Sequence, residues 1–271
     1  MTRLLILGAA GRMGGALVRG IAARRETLSL AAAVERADSP ALGRDAGTVA
    51  GIEPLGVPVT SDLAAALAAA LAAADVVVDF TFHTAVPATI RAAAEAGLGY
   101  VLGTTALDPD EEAAVREAAK KIPVVWAPNM SLGVNVLLDL VKRAAGILGL
   151  DYDAEIVEMH HRHKKDAPSG TALGLGHALA EGRGQTLEDV MVNGREGVTG
   201  ERPRGEIAFH ALRGGDVVGD HTVVFATDGE RVELTHRASG RDCFAGGALL
   251  AASWLQGRAP GLYSMRDVLG L

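Results

Sequence analysis

The chain has 271 residues and a formal net charge of −7. Hydrophobic residues make up 49% and charged residues 22%, ordinary globular proportions that exclude disorder as the main state. An acidic balance, with a pI of about 5.6, argues against a nucleic-acid partner, because that affinity rests on an excess of Lys and Arg over phosphate.

From the start of the chain, short apolar runs alternate with longer helical segments, the signature of βαβ units and a mainly parallel sheet. Strands are expected at Arg3–Leu7, Leu28–Val34, Val76–Phe80, Gly99–Leu102 and Pro123–Trp126. Several are unbroken apolar runs, as in strands covered on both faces. Helices are expected at Met13–Ala23, Asp62–Ala73, Ala85–Ala96 and Pro109–Lys120. The Ala- and Leu-only run Ala64–Ala74 falls short of the roughly 20 residues that span a bilayer, and the apolar start of the chain is too short for a signal peptide. No membrane partner is expected.

Beyond Asn129 the texture changes. A long amphipathic helix is expected over Leu132–Leu148, then strands at Ala154–His163, Glu206–Leu212, Asp216–Thr227 and Arg231–Ser239. Asp228-Gly229 between the last two is a hairpin signal, since both residues tolerate positive φ. These point to a mixed or antiparallel sheet. Phe244–Gln256 reads as a helix returning to the first domain.

Gly8-Ala9-Ala10-Gly11-Arg12-Met13-Gly14 joins the first strand to the first helix. Glycines there allow a sharp turn and close approach to a pyrophosphate, and a helix N-terminus offers free N–H groups to it. The spacing is GxxGxxG, and a glycine turn needed only for packing is the alternative. The second strand ends in Glu35-Arg36, where such folds place a ribose-reading acid. Glu35 suits the ribose hydroxyls of NADH and Arg36 the 2′-phosphate of NADPH, so either cofactor is expected to bind. Gly103-Thr104-Thr105 and Ala127-Pro128-Asn129-Met130 end two further strands at the same sheet edge, where a nicotinamide and its ribose can be held.

The densest chemistry lies in Glu158-Met159-His160-His161-Arg162-His163-Lys164-Lys165, followed by Pro168-Ser169-Gly170-Thr171-Ala172. If a strand continues through it, alternation puts His160, Arg162 and Lys164 on one face and His161 and His163 on the other. Ser169 is a plausible N-cap with Gly170 and Thr171 in the first helical turn. A cationic row beside a helix N-terminus suits a substrate with two carboxylates. A three-histidine metal site fits poorly, because adjacent His160 and His161 would point apart and no HExxH pattern occurs. The only cysteine, Cys243, excludes an intramolecular disulfide and fits a reducing cytoplasm. Its place late in the chain argues against thioester chemistry.

These motifs, together with Arg195-Glu196-Gly197, Gly219-Asp220-His221-Thr222 and Met265-Arg266-Asp267-Val268-Leu269, resemble the 4-hydroxy-tetrahydrodipicolinate reductase (dihydrodipicolinate reductase) family over essentially the whole chain. The resemblance implies an α/β protein with a Rossmann-like dinucleotide-binding domain, residues 1–129 with 241–271. It also implies an α+β domain for substrate binding and oligomerisation, residues 130–240, and a homotetramer. It implies His160 as proton donor or acceptor, Lys164 as proton donor, and His161, Ser169, Gly170 and Thr171 as substrate contacts. Gly8, Ala9, Ala10, Gly11, Arg12, Met13, Glu35, Arg36, Gly103, Thr104, Thr105, Ala127, Pro128, Asn129 and Met130 are its cofactor contacts, for NADH or NADPH, with no metal. One departure is Phe82 where some members carry arginine, which leaves the cofactor ratio open. Another NAD(P)-dependent reductase, an amino-acid dehydrogenase, or a non-catalytic NAD(P)H-sensing module are the alternatives.

Overall fold

The structure is a computed structural model that describes residues 1–67 and 75–271. The chain divides into two compact units, residues 1–132 with 241–270, and residues 133–240 with 271.

The first unit is built on a seven-stranded sheet in the order β12-β6-β5-β4-β1-β2-β3. Its strands are β1 (Thr2–Leu7), β2 (Leu28–Val34), β3 (Val59–Thr60), β4 (Val76–Asp79), β5 (Gly99–Leu102), β6 (Pro123–Trp126) and β12 (Gly261–Tyr263). All its pairings are parallel. The continuous apolar runs have a direct cause. Leu4 and Ile6 enter one buried cluster with helices α1 (Arg12–Ala22) and α9 (Asp242–Trp254). Leu5 and Leu7 enter a second cluster with α4 (Val86–Glu95) and α5 (Pro109–Ala119). Period-two alternation therefore feeds two cores, and no position from Leu4 to Leu7 can be polar at low cost.

Helix α3 is described over residues 63–67, with Asp62 just ahead of it, and residues 68–73 of the expected Asp62–Ala73 helix lie outside the described residues. The short helix α2 (Ala46–Val49) and the strands β3 and β12 carry too little periodicity to be read from sequence. Order reverses at β1, which has β4 on one side and β2 on the other. Open α/β sheets bind ligands at such a switch point, outside the carboxyl ends of the strands.

The second unit holds a five-stranded sheet in the order β11-β10-β7-β9-β8. Its strands are β7 (Asp153–His160), β8 (Met191–Asn193), β9 (Ile207–Arg213), β10 (Gly219–Thr227) and β11 (Glu230–Ala238). The sheet is mixed, as expected. β7 pairs antiparallel with β10 and parallel with β9, and the β10–β11 hairpin closes on a Thr227–Glu230 pair across Asp228-Gly229. Inward residues Ala154, Ile156, Phe209, Val223 and Phe225 pack against α6 (Leu132–Leu148) and α7 (Gly170–Gly182). The short helix α8 (Leu187–Val190) precedes β8. Val157, Met159 and Val224 alternate onto the opposite face and are half-buried.

The strand expected from Asp216 begins at Gly219, and a second departure touches the site. The strand assigned to Ala154–His163 ends at His160, so the alternation proposed for Arg162, His163 and Lys164 does not apply. The chain turns at once: the Lys164 amide donates to the His161 carbonyl at 3.1 Å. The rings of His161 and His163, expected on one strand face, lie instead along this turn with centroids 6.1 Å apart.

Candidate active site

In the first unit the glycine loop leaves β1 through Gly8, whose φ of +68° suits glycine. At Gly14 a Cβ would come within 2.1 Å of the Gly8 carbonyl oxygen, so the helix can lie against the loop only with glycine there. Gly11 begins α1 with extended backbone and no capping side chain among the described residues, which leaves the positive end of the helix for an anion. Glu35 is fastened to this loop: its Oε2 accepts the Ala10 amide at 3.0 Å and its Oε1 accepts the Arg36 amide at 3.1 Å. Ala10, Gly11, Glu35 and Arg36 line a cleft of about 440 Å³ that also takes in Ser39 and Arg44. Sequence reasoning missed those two, because their loop has no motif.

Of the other expected cofactor loops, Gly103–Thr105 is tied to the Thr81 turn through a residue the sequence reading passed over. Asp79, fully buried at the end of β4, accepts from Thr81 Oγ1 at 2.6 Å, the Thr81 amide at 2.7 Å and Tyr100 Oη at 2.5 Å. Thr104 Oγ1 bridges the Thr81 carbonyl at 3.2 Å and Asp79 at 3.4 Å. The available signal was a carboxylate closing the apolar run Val76-Val77-Val78. Burial, with Asp79 beside it, holds the Tyr100 phenol well above its usual range, so it remains a donor. Asn129 Oδ1 accepts the Ser131 amide at 2.9 Å. Met130 is 1% exposed and its side chain belongs to the core, so only its backbone can face a ligand. Ala9 and Ala127 are buried as well. Thr105 and Pro128 are exposed at the same sheet edge.

Phe82 is 68% exposed just after β4, where its ring meets that of His83 at 4.4 Å. The residues present fit a dinucleotide: an uncapped helix N-terminus, an acid fixed at the end of β2, and a cation beside it. Arg36 pairs with Asp38 at 3.0 Å, both side chains exposed, and a surface pair of this kind yields readily to a phosphate.

In the second unit the inward face of β7 places Glu158 and His160 side by side. Glu158 is 1% exposed, and its Oε2 lies 2.6 Å from His160 Nδ1. Arg213 on β9 donates to both carboxylate oxygens, at 2.7 and 2.9 Å. Burial pushes the Glu158 carboxyl up, but Arg213 and His160 together hold it below the usual range. Ser169 caps α7 as expected, its Oγ accepting the Ala172 amide at 3.1 Å, so the helix presents its start at Gly170 and Thr171. Ser169 Oγ also lies 3.0 Å from His221 Nε2. Burial, then the neighbouring His160, draws His221 down to about 4, which keeps it neutral. Lys164 Nζ meets Asp166 at 2.9 Å.

The structure thus brings His160, Lys164, Ser169, Gly170 and Thr171 onto one end of the second unit. His161 is half-buried, and its Nδ1 has no hydrogen-bond partner among the described residues. Glu158, Arg213 and His221 were missed. The readable trace was a carboxylate two residues before His160, on the inward side of an apolar alternation.

Family models for the two halves of dihydrodipicolinate reductase, N-terminus and C-terminus, match residues 2–130 and 133–269. The chain belongs to the dihydrodipicolinate reductase family. A 4-hydroxy-tetrahydrodipicolinate reductase of Anaeromyxobacter dehalogenans is 56% identical over 271 residues, covering 100% of this chain and 98% of that one. One from Hahella chejuensis is 49% identical, with full coverage of both. Among solved structures, a dipicolinate-bound dihydrodipicolinate reductase from Paenisporosarcina sp. TG-14 superposes with a TM-score of 0.75 at 22% identity, covering 98% of each chain. That last likeness is one of fold.

Proposed function

We propose that the protein is an NADH- or NADPH-dependent 4-hydroxy-tetrahydrodipicolinate reductase acting in lysine and diaminopimelate synthesis. The observation that carries this is the buried Glu158–His160 pair, 2.6 Å apart, at the same end of the second unit as Lys164 and the start of α7, in a chain of this family. In this reading residues 1–129 with 241–271 bind the dinucleotide, and residues 130–240 bind substrate and assemble the oligomer.

NADH or NADPH, when bound, would supply a hydride to the ring of the dehydrated substrate. The protein's tasks are then to hold two carboxylates and to deliver one proton. Gly170 and Thr171 take one carboxylate at the helix start, where backbone amides and the helix dipole favour an anion. His161 and Ser169 complete the contacts. Lys164 Nζ donates the proton, and His160 passes or accepts one. General acid help of this kind is worth about 10²–10⁴-fold in rate. On the cofactor side, Gly8 to Met13 receive the pyrophosphate, Glu35 the ribose or Arg36 its 2′-phosphate. Gly103–Thr105 and Ala127–Met130 receive the nicotinamide end.

A homotetramer agrees with the uncovered face of the second sheet, which carries Val157, Val224 and the 49%-exposed Leu212. Light scattering should then give four times the 27.9 kDa of one chain. No helix among the described residues is long and apolar enough to cross a membrane, and the cytoplasm is the compartment we assign.

The deciding experiment is oxidation of NADH and NADPH with freshly generated 4-hydroxy-tetrahydrodipicolinate. The Lys164→Ala variant should lose about 10²-fold or more in kcat while binding NADPH as the parent does. Near-normal turnover would sink the assignment. Thr171→Val should chiefly raise KM.

A further inference from the structure

At this end of the second unit one ion pair, Glu158 buried and Arg213 half-buried, reaches His160, the start of α7 and the loop that carries Lys164. His160 and Arg213 are register partners on the parallel strands β7 and β9, which sets the guanidinium beside the carboxylate two residues back. Arg213 grips Glu158 with both terminal nitrogens, at 2.7 and 2.9 Å. Oε2 of Glu158 then serves His160 Nδ1 at 2.6 Å, while Oε1 accepts the Ser169 amide at 3.1 Å. Arg213 also donates to the Asp166 carbonyl at 2.7 Å, and the Asp166 carboxylate holds Lys164 Nζ at 2.9 Å.

Resting on the functional reading above, we propose that Glu158 and Arg213 are positioning residues. A single bidentate ion pair aligns the His160 imidazole, the start of α7 and the loop that carries Lys164. Two physical points support it. A buried ion pair adds little net stability over apolar side chains of the same volume, so stability alone does not account for a charge pair here. And each oxygen of Glu158 is committed to a different functional element, with Arg213 committed to a third.

The pair also decides which His160 nitrogen carries the proton. An ionised carboxylate only accepts, so Nδ1 must donate, and Nε2 is the nitrogen that faces Gly219. A Cβ on Gly219 would lie 3.0 Å from that nitrogen, which shows how closely the ring is seated.

The test is a double-mutant cycle on the full-length protein, read on kcat and on the affinity for pyridine-2,6-dicarboxylate. Glu158→Gln should lower kcat at least tenfold and weaken the dicarboxylate at least fivefold, with NADPH affinity within twofold of the parent. In a His160→Ala background the same change should lower kcat less than twofold further, while the loss of dicarboxylate affinity persists through the Ser169 arm. Equal kcat losses in both backgrounds, or parallel loss of NADPH affinity, would assign the pair a general structural role and overturn the proposal. If Glu158→Gln does not fold, nitrogen-15 NMR of the parent decides. His160 protonated on Nδ1 is expected, and a ring protonated on Nε2 or averaging between tautomers overturns it. Failure of the parent to turn over the cyclic substrate would instead overturn the functional reading. The tautomer and dicarboxylate measurements judge the ion pair independently of that.

Discussion

The carboxylate of Glu35 accepts the backbone amide of Ala10 at 3.0 Å, so the acid that ends β2 is tied to the glycine loop that follows β1. One side chain therefore sets both the loop's shape and the place of its own second oxygen. Glu35→Ala should weaken NADH roughly tenfold, the scale of one hydrogen bond to a charged group. NADPH should suffer less, because Arg36 remains. Arg36→Ala should do the reverse. Fluorescence titration with each cofactor checks both, and equal losses for the two cofactors in either variant would refute the division of labour.

Asp79 and Tyr100 meet at 2.5 Å inside the first unit. Tyr100→Phe keeps the ring and removes the donor, leaving a buried carboxylate short of one hydrogen bond. The expected cost is about 1–3 kcal/mol, read as a shift of the urea midpoint. The Thr81 and Thr104 loops hang on the same carboxylate. Asp79→Asn should therefore weaken cofactor binding more than Tyr100→Phe does at equal loss of stability.

Stability should fall in acid through two separable windows. His221 has its folded value drawn down to about 4 by burial, so its contribution is complete above its unfolded value near 6.5 and is lost as pH falls toward 4. Glu155 is pushed up by burial, but Arg195, His210 and Arg202 outweigh this and bring it to about 2. Its contribution is complete above about 4.5 and is lost as pH falls toward 2. Each is worth on the order of 3 kcal/mol at most by linkage. Urea midpoints between pH 7.5 and 3 should show both limbs. His221→Asn should flatten the limb between 6.5 and 4 and leave the lower one.

Arg202 fastens the segment before β9 to the edge of β7. It meets Asp153 at 2.7 Å and Glu155 at 3.0 Å, and donates to the carbonyls of Ala154 at 3.0 Å and Glu206 at 2.6 Å. Arg202→Ala should free residues 194–204 and speed tryptic cleavage there at least tenfold. Cleavage at the parent rate would show that the segment is held by other means.

Where periodicity carried the information, the sequence was readable. β2, β5, β6 and α6 begin and end at their expected residues, because a run buried on both faces, or on one helical stripe, leaves little choice. The glycine loop and the Ser169 cap were readable because only a few residue types satisfy those backbones. The end of β7 was not. His160 to Lys165 look like strand, since alternation of polar residues carries no burial signal once both sides are charged. Asp79, Glu158 and Arg213 were hidden for a related reason. A buried charge is specified by partners up to 55 residues away, and no local pattern encodes such pairing. β3, α2, α8 and β12 are too short for any period to show.

The first unit is interrupted after residue 132 and resumes at residue 241. Ala248, Leu249, Ala251, Ala252 and Leu255 of the returning segment fill the same cluster as Leu4 and Ile6, and β12 adds the strand beside β6. On the ribosome this reverses the usual order of maturation. The contiguous second unit has its sequence available first, while the N-terminal sheet waits with one face uncovered until the segment 241–270 has emerged. A premature stop soon after residue 240 would thus spare the second unit and cripple the first.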